Sequence, residues 1–229
     1  MKNQITKVLS RKVWDSVRIQ ENNEPLVSIE NDPKIFFAQF KEYTASYIVR
    51  KTIAQKLIAV AKSLPENIQL VLIEGYRSTV SQQDGWDKTM SKLKLAYLNM
   101  SQENLEQKAR MVVAKPTPLA NHHCGGAIDV TLRYSDGEYL DMGTSYPDVL
   151  TSMDQYKNAY KKFPMFPNSF FQKRITKEQE LNRKILRDAM ETEDFVWYPG
   201  EWWHYCWGDR MWAVYTNQTE CVYGSIELQ

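Results

Sequence analysis

His122-His123-Cys124-Gly125-Gly126-Ala127-Ile128-Asp129-Val130-Thr131-Leu132-Arg133-Tyr134 joins two of the chain's three histidines to a run of strict alternation. From Ala127 onward, Ala127, Asp129 and Thr131 share one face, while Ile128, Val130 and Leu132 share the other. Period two predicts a strand whose aliphatic face enters a core and whose Asp129 points the other way. Gly125-Gly126 lets the chain bend or bulge just ahead of it, so that His122 and Asp129, seven residues apart, can converge. Beyond Tyr134, Ser135-Asp136-Gly137 predicts a turn and "EYLDMG" a return strand, together a hairpin.

Working outward, "IQLVLI" at 68–73 reads as a buried strand that delivers Glu74-Gly75-Tyr76-Arg77-Ser78 to its end. Within Tyr47–Leu64, Ile53, Leu57, Val60, Ala61 and Leu64 recur at helical spacing until Pro65 stops the pattern. Residues 79–113 are polar with helical islands broken near Asn99–Ser101, and Pro116 and Pro118 force an extended approach to the histidines. Thr176 to Glu191 predicts a helix opened by a Thr176/Gln179 capping box, with Leu181, Ile185, Leu186, Ala189 and Met190 on one side. The aromatic run at 195–215, "FVWYPGEWWHYCWGDRMWAVY", with turns at Pro199-Gly200 and Gly208-Asp209, reads as antiparallel strands. Helices that precede and interrupt such strands predict an α+β fold, a central and mainly antiparallel sheet flanked by helices. One domain over 1–229 is expected, with an irregular N-terminal part at 1–45 packed on it.

Composition narrows the function. A chain of 229 residues with 43% hydrophobic and 12% aromatic content supports one well-buried core. Lys and Arg number 29 against 28 Asp and Glu, and no basic stripe accompanies the aromatics, so nucleic acid and anionic membrane are not expected partners. A small neutral or zwitterionic ligand fits better. The first twenty residues lack the apolar stretch of a secretory signal, which gives the expectation of a cytoplasmic protein, or a periplasmic one if a leader has been removed.

Catalytic zinc takes three nitrogen and oxygen ligands and leaves a fourth position for water. His122 and Asp129 supply two. His204, in "EWWH", supplies a third, and Glu201, three residues earlier, is a base for water activation. In a regular strand Glu201 and His204 would face opposite sides, so Glu201 is expected at the irregular exit from Pro199-Gly200.

"HHCGGAID", "EWWH" and "EGYR" (Glu74 to Arg77), in that spacing and order along the chain, resemble the signatures of the zinc D-alanyl-D-alanine dipeptidases. These VanX-like enzymes are related to D,D-carboxypeptidases and to the hedgehog-type zinc peptidase fold. The resemblance runs from about Tyr47 to the C-terminus. It implies one zinc ion per chain held by His122, Asp129 and His204, Glu201 as general base, and Arg77 as the group that stabilises the oxyanion. His123 is a rival ligand, but only His122 has the family's spacing to Asp129. Cys124 and Cys206, which flank ligands, read as small packing residues.

Two departures bear on substrate. Ala120 stands where the family often has serine. Ser145-Tyr146-Pro147-Asp148 inserts proline where the family carries a carboxylate that pairs with the substrate's ammonium; Asp148 is the candidate for that role and Asp141 the reserve. The implied activity is hydrolysis of D-Ala-D-Ala to two D-alanines. The alternatives are a D,D-carboxypeptidase or endopeptidase acting on longer wall peptides, and a non-catalytic module with structural zinc. Oligomeric state is left open.

Overall fold

The alternating run is the middle strand of a five-stranded sheet in the computed structural model, which describes residues 11–29, 34–38, 46–110, 113–116, 121–143, 175–199 and 201–227. In chain order the elements are α1 (Arg11–Asp15), β1 (Arg18–Ile19), β2 (Leu26–Ser28), β3 (Ile35–Phe37), β4 (Ile48–Arg50), α2 (Lys51–Ser63), β5 (Ile68–Glu74), α3 (Thr79–Ala96) and α4 (Gln102–Ala109). A 3-10 turn at Asn121–Cys124 precedes β6 (Ala127–Tyr134), followed by α5 (Lys177–Thr192), β7 (Val196–Trp197), β8 (His204–Cys206), α6 (Arg210–Tyr215) and β9 (Glu220–Cys221).

The main sheet has the order β3-β5-β6-β8-β7. Only β3 and β5 run parallel; the other pairs are antiparallel. The fold is therefore α+β with a mainly antiparallel sheet, as the sequence predicts. Ala127 through Leu132 are all buried, because both faces of β6 are covered. Ile128, Val130 and Leu132 join Leu70 and Leu72 of β5, Ile53, Leu57 and Val60 of α2, and Leu186 and Met190 of α5 in the principal core. Trp86, Met90 and Leu93 of α3 make a separate cluster with Leu105 and Ala109 of α4.

Helix α2 stops where its sequence dictates. Leu64 is extended (φ −68°, ψ 152°), the conformation that a following proline imposes. At the other end of the helix, Arg50 is only 1% exposed. Its Nε–H donates to the Cys124 carbonyl at 2.7 Å, and its two amino groups reach the Glu24 and Gly224 carbonyls and, at 3.0 Å, the Glu21 carboxylate. One guanidinium thus ties the N-terminal arm, the histidine segment and the C-terminal segment together, and its buried charge is met by hydrogen bonds on every side.

Several elements differ from the sequence expectation. Residues 210–215 form a helix, not a strand: the Asp209 side chain accepts from Trp212 N–H at 2.8 Å as an N-cap, and six residues are too few for periodicity to separate 2 from 3.6. In α5 the capping box at Thr176 and Gln179 is present, but the buried stripe runs through Asn182, Leu186, Ala189 and Met190, and Leu181 is 59% exposed. Leu181 lies a full residue step, about 100°, off that stripe. After the turn at Gly137 (φ +98°) the return is a bridge between Arg133 and Tyr139 with Leu140 N–H donating to Leu132, shorter than the expected strand. Among the described residues of 1–45, α1 and three short strands occur; β3 edges the main sheet and β1 pairs in parallel with β9. Strands of two or three residues carry no readable alternation. Among the described residues, no helix is long and apolar enough to cross a membrane.

Candidate metal centre and catalytic site

Register creates the site. Asp129 of β6 is paired with His204 of β8 on one side and with Glu74 of β5 on the other, so three polar side chains form a row across three strands. Glu74 reaches that row through an irregularity: Leu72 pairs with Val130, but Glu74, two residues on, pairs with Asp129. The extra residue, Ile73, is a bulge that resets the alternation and moves Glu74 from the core face to the Asp129 face.

His122 comes from the 3-10 turn before β6. Gly125 has φ +70°, and a Cβ there would stand 2.4 Å from Leu26 Cδ2, so a larger residue would be strained and would have to displace Leu26 where the chain turns from the histidines into the strand. The turn brings one donor atom from each of His122, Asp129 and His204 within 4.8 Å of the other two. All three are buried, at 7%, 2% and 7% exposure. His122 Nε2 lies 3.5 Å from Asp129 Oδ2, and His204 Nδ1 lies 3.0 Å from Asp129 Oδ1. His122 Nδ1–H donates to the Gly75 carbonyl at 2.7 Å. A carbonyl only accepts, so Nδ1 carries a proton, and Nε2, which faces Asp129, is the atom a metal would take. Two imidazoles and a carboxylate, convergent and with one ring anchored through Nδ1, suit zinc.

Electrostatics agree with a cation site. Burial works against ionisation of Asp129, but His122 and His204 outweigh it and hold its carboxyl well below the usual carboxylate range. Burial also opposes protonation of His204, yet the hydrogen bond and charge of Asp129 push its pKa up. Cys124 and Cys206 stay outside this chemistry. Burial raises both thiols, which keeps them protonated, and Cys124 S–H donates to the Asn121 carbonyl at 2.8 Å.

Glu201 lies in the turn between β7 and β8, not on a strand. Its N–H donates to Tyr198, His204 N–H donates back to the Glu201 carbonyl at 3.3 Å, and Trp197 Nε1–H donates to that same carbonyl at 3.0 Å. The three-residue step from 201 to 204 is a turn that places both side chains on one side, and Glu201 Oε2 is 3.8 Å from His204 Nδ1. A third of the Glu201 side chain remains exposed, at 35%. Desolvation raises its pKa, against the opposing pull of His204.

Arg77 follows β5 by three residues. Its guanidinium makes a fork on Glu74, with Nε–H donating to Oε1 at 3.0 Å and an amino group on Oε2, and its other amino group donates to Gln82 Oε1 at 2.9 Å. Gln82, 1% exposed, is held in turn by the Ala114 carbonyl. The sequence does not single out Glu74 or Gln82: within "EGYR" only the arginine has an obvious task, and Gln82 belongs to no pattern. Asp141 is engaged elsewhere: one oxygen accepts from Gly143 N–H at 2.7 Å and the other from Gln179 at 2.8 Å, joining its loop to α5. Asp148 and Ala120 lie outside the described residues.

Residues 39–224 match the family model described as D-ala-D-ala dipeptidase, Peptidase_M15. The chain belongs to this family. It is a metallopeptidase, in a family that depends on zinc. Similar proteins include a D-alanyl-D-alanine dipeptidase of Synechocystis sp., 27% identical over 244 residues covering 94% of this chain and 97% of the relative. Another, from Escherichia coli, is 28% identical over 153 residues covering 65% and 62%. Among solved structures, the D,D-pentapeptidase VanY in complex with Zn(II) aligns with TM-score 0.42 and 14% identity over 91% of this chain and 96% of its own. VanYB in complex with D-alanine-D-alanine aligns with TM-score 0.40 and 15% identity over 92% and 94%.

Proposed function

We propose that this peptidase hydrolyses D-Ala-D-Ala to two D-alanines, with one zinc ion per chain held by His122, Asp129 and His204. The observation that carries the reading is the convergence of those three donors beside the Glu201 carboxylate, 3.8 Å from His204 Nδ1. Bound zinc supplies Lewis-acid polarisation and lowers the pKa of water toward neutrality. Everything else falls to the chain's own side chains. Glu201 takes the proton from the attacking water and returns it to the leaving amine; a carboxylate with a raised pKa, partly open to solvent, suits a group that must hold and then release a proton. Arg77 pairs with the negative oxygen that develops on the amide carbon, and its fork on Glu74 fixes its plane before substrate arrives. The dipeptide's ammonium is assigned to Asp148 ahead of Asp141, whose two oxygens are already committed to Gly143 and Gln179. That contact limits the substrate to free dipeptides.

The test is D-alanine release from D-Ala-D-Ala by the purified protein, beside D-Ala-capped tripeptides, with and without a chelator. Chelator-sensitive cleavage confined to the dipeptide supports the reading. Cleavage of the longer peptides at comparable kcat/KM replaces it with a carboxypeptidase, and no cleavage by zinc-loaded protein overturns it.

A further inference from the structure

His123 is the one histidine that the proposed reaction does not use. It is fully buried, at 0% exposure, in a segment whose neighbour is a metal-ligand candidate. Three hydrogen bonds join the histidine pair to the stretch between β5 and α3. His122 Nδ1–H donates to the Gly75 carbonyl at 2.7 Å, Arg77 N–H donates to the His122 carbonyl at 3.3 Å, and His123 Nδ1–H donates to the Arg77 carbonyl. Residues 75–77 and 122–123 therefore run beside each other as a bracket, although 45 residues separate Arg77 from His122. On its far side the same stretch is pinned by Gly75 N–H to Ser46 and Tyr76 N–H to Ile48, with so little room that a Cβ on Gly75 would stand 2.4 Å from the Ile48 carbonyl. The C-terminal segment closes over the bracket: Ile226 N–H donates to the His123 carbonyl, and the Tyr76 hydroxyl donates to the Ile226 carbonyl at 2.9 Å.

Packing alone does not account for a histidine here. Among the described residues its Nε2 is buried without a hydrogen-bond partner. Leucine would occupy comparable space and leave no buried nitrogen unsatisfied. What histidine supplies, and leucine cannot, is the Nδ1–H bond to Arg77.

The geometry points to His123 as a positioning residue for Arg77: it fixes the backbone from which the guanidinium projects, while Glu74 and Gln82 fix the guanidinium itself. The inference rests on the proposed role of Arg77 in amide hydrolysis. It also explains why the two histidines are adjacent. One anchors the metal side of the site and the next anchors the arginine side, so a single turn sets the spacing between the two.

The experiment compares H123L, H123N and H123Q, together with R77A and the double variant H123L/R77A. Zinc content, melting temperature, kcat and KM on D-Ala-D-Ala, and amide hydrogen exchange over residues 74–82 are measured on zinc-loaded protein. Asparagine places an amide N–H near the Nδ1 position; glutamine extends past it. H123L is expected to keep its zinc and its melting temperature, to exchange faster at 75–77, and to lose about 10- to 100-fold in kcat with KM little changed. H123N should recover most of that loss and H123Q should not. In the R77A background H123L should cost nothing further, because its effect passes through Arg77. A multiplicative loss in the double variant, loss of zinc in H123L, or unchanged exchange at 75–77 overturns the inference. Should H123L not fold, the asparagine and glutamine pair decides by the same measures. Wild-type protein that binds zinc but leaves D-Ala-D-Ala intact overturns the proposed substrate instead, and the exchange comparison then decides the bracket independently of activity.

Discussion

Asp129 and Glu74 are neighbours in register on adjacent strands, buried to within 2% and 3% exposure, yet they serve two differently built halves of the site. Asp129 faces the two imidazoles of His122 and His204. Glu74 faces the permanent charge of Arg77 through a two-point fork. A buried carboxylate needs compensation wherever it sits. On the arginine side the protein supplies it internally; on the histidine side the geometry calls for a cation from outside. The difference teaches that metal binding and arginine positioning should be separable by mutation, though one row of strands carries both.

The largest effects should come from the metal half. D129A or H204A is expected to abolish both zinc retention after dialysis and detectable turnover, since two ligands do not hold a catalytic zinc. E201Q should retain zinc while kcat falls by about 10²- to 10⁴-fold, the range for a lost general base. In the arginine half, R77A should lower kcat by about 10²- to 10³-fold, again with full zinc content. E74Q should fall short of R77A, because the arginine remains and only its fork is loosened. Zinc analysis beside kinetics checks all five variants. If E74Q loses zinc, the two halves are not separable and the comparison breaks.

The halves were also unequally legible in the sequence. The candidate trio is legible because alternation in "AIDVTLRY" puts Asp129 opposite an aliphatic face and the chain has few histidines to choose from. Strand order and register, which seat His204 directly beside Asp129, are long-range and leave no local mark. The bulge at Ile73 is invisible for a related reason: "IQLVLIE" is aliphatic on both faces, so alternation cannot show where it slips. That slip is what turns Glu74 toward Asp129, and with it the anchor of Arg77 was lost to inspection. The turn that presents Glu201 was half visible, since Pro199-Gly200 announces irregular backbone without saying that Trp202-Trp203 continue it. The short helix at 210–215 is hidden because Gly208-Asp209 reads as a turn, whereas Asp209 caps a helix.

Proton linkage sharpens the comparison at intermediate size. In zinc-free protein the raised pKa of His204 contributes stability that is complete below its unfolded value of about 6.5 and is lost as pH rises through the folded value. The depressed pKa of Asp129 contributes stability present above its unfolded value of about 3.9 and lost as pH falls. Both contributions overlap between those limits. Zinc works in the opposite sense, because the imidazoles must give up protons to bind it. From pH 6 to 8, the melting temperature of zinc-free protein is therefore expected to fall while the increment added by zinc grows. Melting curves at matched pH, with and without zinc, test this. A zinc increment that shrinks over that range would show that His204 is not a ligand.

The smallest effect belongs to a carboxylate outside both halves. Asp141 has each oxygen engaged, one by Gly143 N–H and one by Gln179, and its pKa is lowered by the Gln179 hydrogen bond first and the Gly143 bond second. Those bonds tie the loop after β6 to the first turn of α5, and Asn182 adds a bond to the Asp141 carbonyl at 2.9 Å. A residue so engaged is expected to act on the fold and not on the substrate's ammonium. D141N keeps one acceptor oxygen and exchanges the other for a donor, so it should cost about 1 kcal/mol of stability. Its kcat/KM for D-Ala-D-Ala should stay within about threefold of wild type, whereas D148N should raise KM by tenfold or more, about 1.4 kcal/mol of lost charge pairing. If the two variants exchange these phenotypes, the ammonium-binding role passes to Asp141, and the loop after β6 becomes a third functional region beside the two halves.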